Sequence, residues 1–127
     1  MNNSFPLLAK SEPQTTLQQH IEDCLQIEEQ LKDCFPNLPM DCDNGFWNLV
    51  RMSICFHDIG KCHKEFQKLL YQRPNEWNHR RHELFSLPFI FNSNITDEEK
   101  KLTVYAVAGH HKDFEELNNI VPQIRNL

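Results

Sequence analysis

At 127 residues, with 39% apolar and 24% charged side chains, the chain is sized for one soluble domain around one core and is too short for two. No apolar run approaches the roughly 18 residues of a membrane span, and the start lacks the cationic-then-apolar pattern of a secretory signal. A cytoplasmic protein with no membrane partner is expected. The net charge of −5 argues against strong autonomous binding to nucleic acid, although it is unevenly spread: residues 1–50 carry −6, residues 51–81 carry +4 and residues 82–127 carry −3.

Residues 1–13 contain Pro6 and Pro13 without a sustained period and read as an extended lead-in to a single domain spanning 1–127. From Thr15 or Thr16 as a cap, Leu17, His20, Ile21, Cys24, Leu25, Ile27 and Leu31 recur at helical spacing and predict an amphipathic helix. Pro36 and Pro39 enforce a connection after it. Asp43 or Asn44 then caps a second helix through Phe46, Trp47, Leu49, Val50, Ile54 and Cys55, apolar on several sides and so expected at the centre of the core.

That helix delivers the adjacent pair His57-Asp58, followed by Ile59-Gly60-Lys61. Consecutive side chains of a regular helix splay by about 100°, so Gly60 is expected to supply a left-handed or otherwise tight turn. A third helix is predicted from Cys62 or His63 to Tyr71, burying Phe66, Leu69 and Leu70 and exposing Lys64, Glu65 and Lys68. Next, Arg80 to Phe91 places His82, Phe85 and Phe89 on one face, with a kink at Pro88. Thr96-Asp97-Glu98-Glu99 has the three-residue offset of a capping box and opens a helix that turns Leu102, Tyr105, Ala106 and Gly109 inward and ends in His110-His111. Phe114 to Leu117 are expected to add a short helical turn. No strand alternation is visible, and the fold class is all-α.

Five cysteines, odd in number and without a C-x-x-C pair, indicate reduced thiols rather than disulfides or a zinc knuckle. Five of the seven histidines, His20, His57, His82, His110 and His111, fall on an apolar helix face or at a helix end. A buried imidazole needs partners for both ring nitrogens, and a shared metal supplies one to several imidazoles together. Adjacent His57 and Asp58 offer a nitrogen and a hard oxygen ligand, the donor types of a phosphate-handling metal centre. His63 and His79 sit among polar neighbours and are given no role.

The order His20, His57-Asp58 with Lys61, His82-Glu83, His110-His111 resembles the HD superfamily of metal-dependent phosphohydrolases. It is most similar to the HD nuclease domain of the CRISPR type I helicase-nuclease, through His57-Asp58-Ile59-Gly60-Lys61 followed by Glu65-Phe66-Gln67-Lys68-Leu69-Leu70, Arg81-His82-Glu83 with Ser86, and Ala108-Gly109-His110-His111. The resemblance implies a bundle of five to six helices holding two divalent ions. His20 and His57 would bind the first, Asp58 would bridge, His82, His110 and His111 would bind the second, and Lys61 would lie beside the scissile phosphate. Family members add a later aspartate to the first ion that this chain does not reach, and Asp113 is not expected to replace it.

The function so implied is metal-dependent hydrolysis of single-stranded DNA, with Asp58 and Lys61 as catalytic residues and one or two ions drawn from manganese, iron, cobalt, nickel or magnesium. Partners would be a CRISPR effector complex and a separately encoded helicase. Two other readings stand beside it: a phosphohydrolase of nucleotides or cyclic nucleotides, and a metal-binding interaction module without activity.

Overall fold

The computed structural model describes residues 5–38, 45–112 and 116. The expected caps at Asp43 or Asn44, Asp113, and all but one residue of the Phe114–Leu117 turn lie outside the described residues.

The lead-in carries a feature the sequence did not announce. Leu8–Lys10 (β1) pairs antiparallel with Thr15–Thr16 (β2), with a bulge between Leu8 and Lys10. Two strands this short cannot hold themselves together in water. What holds them is Gln67, whose side-chain oxygen accepts from Leu8 N–H (2.8 Å) and whose amide donates to Leu8 O (2.9 Å) and Lys61 O (2.7 Å). Leu8 and Ala9 are thereby buried against the rest of the chain.

Thr16 caps α1 (Leu17–Cys34), its hydroxyl accepting from Gln19 N–H. The inward face of α1 runs through Leu17, Ile21, Cys24 and Glu28, whereas Ile27 and Leu31, expected on that face, are exposed. Glu28, almost fully buried, instead continues the stripe and accepts from Arg51 of the next helix at 3.2 Å. α2 (Gly45–His57) packs on α1, α4 and α5, yet none of its residues is fully buried, because an open cleft runs along its Phe46, Leu49, Val50 and Ile54 side. The expectation of a fully central α2 is corrected accordingly.

A 3-10 turn (Ile59–Cys62) follows, and α3 (Lys64–Leu70) starts from His63, whose Nδ1 accepts from Glu65 N–H. Glu65 and Gln67 are buried and Leu69 is exposed, the reverse of the apolar-in expectation. Both inversions have a polar cause: Gln67 ties down β1, and Glu65 accepts from Lys68 Nζ (2.7 Å) and Glu76 N–H (2.9 Å). α4 (His82–Phe91) contains Pro88 within one continuous helix and buries Glu83, Ser86, Leu87 and Ile90, leaving Phe89 exposed. α5 (Asp97–Gly109) begins with the expected Thr96–Glu99 capping box and buries Thr103, Val104, Val107, Ala108 and Gly109. Leu102 and Ala106 line the cleft rather than the core.

The apolar centre is Leu87, Ile90, Val104, Val107 and Ala108, with Phe56 and Ile95 against it. It clamps α4 to α5 and sets the ends of α2, α4 and α5 side by side. The all-α bundle of five to six helices expected from the sequence is the architecture observed, with five α-helices among the described residues and the small hairpin added. Among the described residues no helix is long and apolar enough to cross a membrane, and Cys24, Cys34, Cys55 and Cys62 are free thiols.

Candidate metal centre

Four helix ends and one helix face meet at Asp58. Asp58 is 1% exposed and sits where α2 stops, with φ −111° and ψ 4° breaking the helix before the 3-10 turn. That break, not a left-handed glycine, lets His57 and Asp58 converge, since no glycine has positive φ among the described residues. Gly60 is needed for a different reason. A β-carbon there would run into the backbone carbonyl of His82 and come within 2.9 Å of Ser86 N, so only glycine lets the turn lie against the start of α4. Gly60 N–H donates to Ser86 Oγ (2.9 Å) across the same contact.

The two carboxylate oxygens face different histidines. Oδ2 lies 3.1 Å from His20 Nε2 of α1 and 3.4 Å from His57 Nε2, and those nitrogens are 3.2 Å apart. Oδ1 lies 2.9 Å from His82 Nε2 and 3.5 Å from His110 Nε2. His111 completes this second group, its ring tilted 43° against that of His110 with centroids 4.0 Å apart, and 5.1 Å from the ring of His82. Lys61 Nζ reaches Oδ2 at 2.7 Å and also Ala9 O at 3.2 Å. The structure therefore brings together all seven side chains singled out in the sequence, and it divides the histidines between the two oxygens in the grouping the resemblance implied.

Protonation decides what this arrangement can hold. His57 Nδ1 is 2.6 Å from Ile54 O, and His110 Nδ1 is 2.6 Å from Val107 O. Carbonyl oxygens only accept, so both Nδ1 atoms carry the proton and each neutral ring presents an Nε2 lone pair. Those lone pairs face carboxylate oxygens, His57 Nε2 also lying 3.2 Å from His20 Nε2, and among the described residues His110 Nε2 is buried with no hydrogen-bond partner. Burial opposes charge on Asp58, but His110, His82 and the Lys61 ammonium outweigh it and hold the carboxyl well below the usual carboxylate range. Two lone pairs against a carboxylate call for a cation. Burial also opposes a charge on His110, yet Asp58 and the Val107 carbonyl overcome it and raise its basicity. Burial keeps His57 neutral, outweighing the Ile54 carbonyl and Asp58, and burial with the neighbouring His110 and His82 lowers His111.

The donor geometry fits a divalent metal. Ligands held about 2.0–2.1 Å from one tetrahedral ion lie about 3.3 Å apart, and the His20–His57–Asp58 triangle has edges of 3.1, 3.2 and 3.4 Å. Nδ1 donation to a carbonyl, which aims Nε2 inward, is the usual support of a metal-ligating histidine. Arg81 supplies further bracing: it pairs with Glu83 (2.7 Å) and donates to Ala108 O (2.7 Å), locking the start of α4, with His82, onto the end of α5, with His110.

One residue at the centre went unremarked as a donor. Cys24 lies one turn after His20 on α1, and its Sγ, a His20 nitrogen and a His57 nitrogen all fall within 4.8 Å of one another. The four-residue spacing in the sequence was the available signal. Burial and then the Asp58 charge push its thiol pKa up, so the thiol is protonated in the absence of a cation.

Beside the centre opens a cleft of about 940 Å³ between α1, α2 and α5, reaching His57 and His110. Its walls are mainly apolar, with Phe46, Leu49, Val50 and Leu102 exposed to it. Part of the net positive segment 51–81 is taken up in ion pairs: Arg51 pairs with Glu28 and Glu29, Lys61 with Asp58, Lys68 with Glu65 and Arg81 with Glu83, while Arg73 lies over the Phe5 and Tyr71 rings.

Comparison with protein families matches residues 8–125 to the family described as "Cas3, HD domain". The chain belongs to that family. The Cas3 HD domain is a metal-dependent nuclease of the CRISPR context, and HD domains bind divalent metals. No helicase region is present in these 127 residues. No curated protein and no solved structure matches the chain.

Proposed function

We propose that this Cas3 HD domain is a metal-dependent nuclease that hydrolyses single-stranded DNA in CRISPR type I interference, with Asp58 shared between two metal half-sites. His20 and His57 would hold one ion with Asp58 Oδ2, and His82, His110 and His111 the other with Asp58 Oδ1. Divalent ions bound there supply Lewis acidity toward a water and a phosphodiester. The single observation that carries the reading is the buried, unpartnered His110 Nε2 facing one oxygen of the ionised Asp58 carboxylate while His57 Nε2 faces the other.

The remaining chemistry belongs to the chain. Asp58 stays ionised because Lys61, His82 and His110 oppose its protonation. Ile54 O and Val107 O fix the proton on Nδ1 of His57 and His110 and so keep Nε2 directed at the centre. Lys61 uses two of its three donors on Asp58 and Ala9 O, leaving one for a phosphate oxygen. The apolar cleft suits unstacked bases better than a duplex backbone, since base stacking on aromatic and apolar walls is the sequence-tolerant part of single-strand binding. A net charge of −5 and a basic segment with four of its seven cations in ion pairs leave little intrinsic affinity for phosphates, so a CRISPR effector complex and a separately encoded helicase would deliver the strand. The whole chain, 1–127, acts as one domain in this reading.

The cleft volume also lies within the roughly 300–1,000 Å³ of small-molecule sites, which favours nucleotides or cyclic nucleotides as a second substrate class. One experiment separates the readings. The purified chain is incubated with single-stranded DNA, and separately with nucleotides, in manganese, iron, cobalt, nickel or magnesium. Cleavage of the strand, lost in Asp58→Ala, supports the nuclease. Phosphate release from nucleotides without strand cleavage supports the second class. Intact DNA and intact nucleotides with every ion would leave an inactive metal-binding module.

A further inference from the structure

The two halves of the centre are not chemically alike. Among the described residues, the half around Asp58 Oδ1 has only imidazoles beside the carboxylate. The half around Oδ2 has two imidazoles and a thiol, because Cys24 stands four residues after His20 on the same face of α1. Cys24 is half-buried and borders the cleft together with His57 and His110, so its sulfur faces the centre and is reachable from solvent. A sulfur merely filling core space would lie among apolar side chains, whereas this one lies within 4.8 Å of two ring nitrogens.

We propose that Cys24 is the fourth protein donor of the first half-site, giving a His20, His57, Cys24 and Asp58 set that selects a thiophilic divalent ion such as zinc or cobalt. The inference rests on the metal-centre reading above and adds both a ligand and a specificity to it. Thiolate with imidazole is a soft to borderline donor set, matched to zinc, cobalt and iron rather than to magnesium, while the imidazole-only half keeps a broader preference. Two nitrogens, one sulfur and one oxygen would be the protein donors to this ion. A bound cation also reverses the balance that keeps the thiol protonated, since a coordinating thiol is deprotonated outright. The first half would then lose its ion on oxidation or alkylation of Cys24, and the second would not.

Cobalt(II) alone serves as the probe, read by absorption. The wild-type chain should show a thiolate-to-cobalt charge-transfer band in addition to the ligand-field bands. The charge-transfer band should persist in His82→Ala and Cys55→Ser and vanish in Cys24→Ser. A charge-transfer band that survives Cys24→Ser, or its absence from the wild type while ligand-field bands report bound cobalt, overturns the assignment and leaves the metal centre standing. No cobalt uptake at all overturns both. Should Cys24→Ser fail to fold, alkylation of the wild type mapped by mass spectrometry decides: cobalt should slow modification of Cys24 at least tenfold and leave Cys55 unchanged, and equal rates with and without cobalt would overturn the proposal.

Discussion

Replacing Gly60 with alanine tests how tightly the metal centre depends on backbone packing. At a position without positive φ, glycine to alanine ordinarily stabilises a protein by about 0.4–1 kcal/mol, because the unfolded chain loses freedom. Here the sign should reverse. The added carbon meets the His82 carbonyl oxygen, the His82 carbonyl carbon at 3.0 Å and Ser86 N at 2.9 Å, all of them backbone that cannot rotate away. Overpacking of this kind costs about 1–3 kcal/mol, and loss of the Gly60–Ser86 hydrogen bond adds about 1 kcal/mol. The net loss is about 2–3 kcal/mol, or roughly 10 °C in Tm for a domain of this size. The first turn of α4 must retreat, and it carries His82, now 2.9 Å from Asp58 Oδ1, so metal affinity at that half should fall as well. Thermal unfolding with and without manganese reads both effects. A Gly60→Ala chain with unchanged or raised Tm and unchanged manganese stabilisation would refute the reasoning.

Asp58→Ala should abolish metal retention and strand cleavage together, measured by elemental analysis and a gel assay; full metal content in the variant removes Asp58 from the shared position. Lys61→Ala should lower stability by up to about 3 kcal/mol, since it leaves a carboxylate whose side chain is 2% exposed without its ammonium, and should slow turnover with metal content retained. Unchanged stability would mean that the pair with Asp58 contributes nothing. Metal binding should weaken from pH 7.5 to 5.5, because His110, raised above the usual imidazole value, takes up a proton in competition with the ion, and calorimetric titration at the two pH values checks this. Glu65 is held below its ordinary pKa, first by Lys68 and then by Glu76 N–H, so its stabilisation is present above the unfolded carboxyl value and lost as pH falls through the lower folded one. Glu65→Gln should flatten that acid limb of the stability curve, and an identical limb would refute the assignment.

The parts of this protein legible in its sequence are those governed by local chemistry. Thr16 and the Thr96–Glu99 capping box mark their helices because a cap is satisfied within three residues. The grouping of the histidines on Asp58 came from the family resemblance that their order with His57-Asp58 carries, not from periodicity. The hairpin was not legible, since the side chain that anchors its first strand is Gln67, some sixty residues away. Nor were the inward faces of α1 and α3, where Glu28, Glu65 and Gln67 are buried because each finds a specific partner and Leu31 and Leu69 are left outside. Periodicity assigns polar residues outward and has no means of seeing such partners. Gly60 was singled out for the right turn and the wrong reason, because close approach of another helix leaves no trace in a single sequence. Cys24 was read only as a member of an apolar stripe, although the same spacing that put it there also put it beside His20.

The central claim is that one carboxylate serves two metal half-sites, and metal stoichiometry in four chains tests it most directly. Cobalt titration followed by elemental analysis should give two ions per chain in the wild type, one in His20→Ala, one in His82→Ala and none retained in Asp58→Asn. Two ions in Asp58→Asn, or loss of both in each histidine variant while the chain stays folded, would contradict the claim.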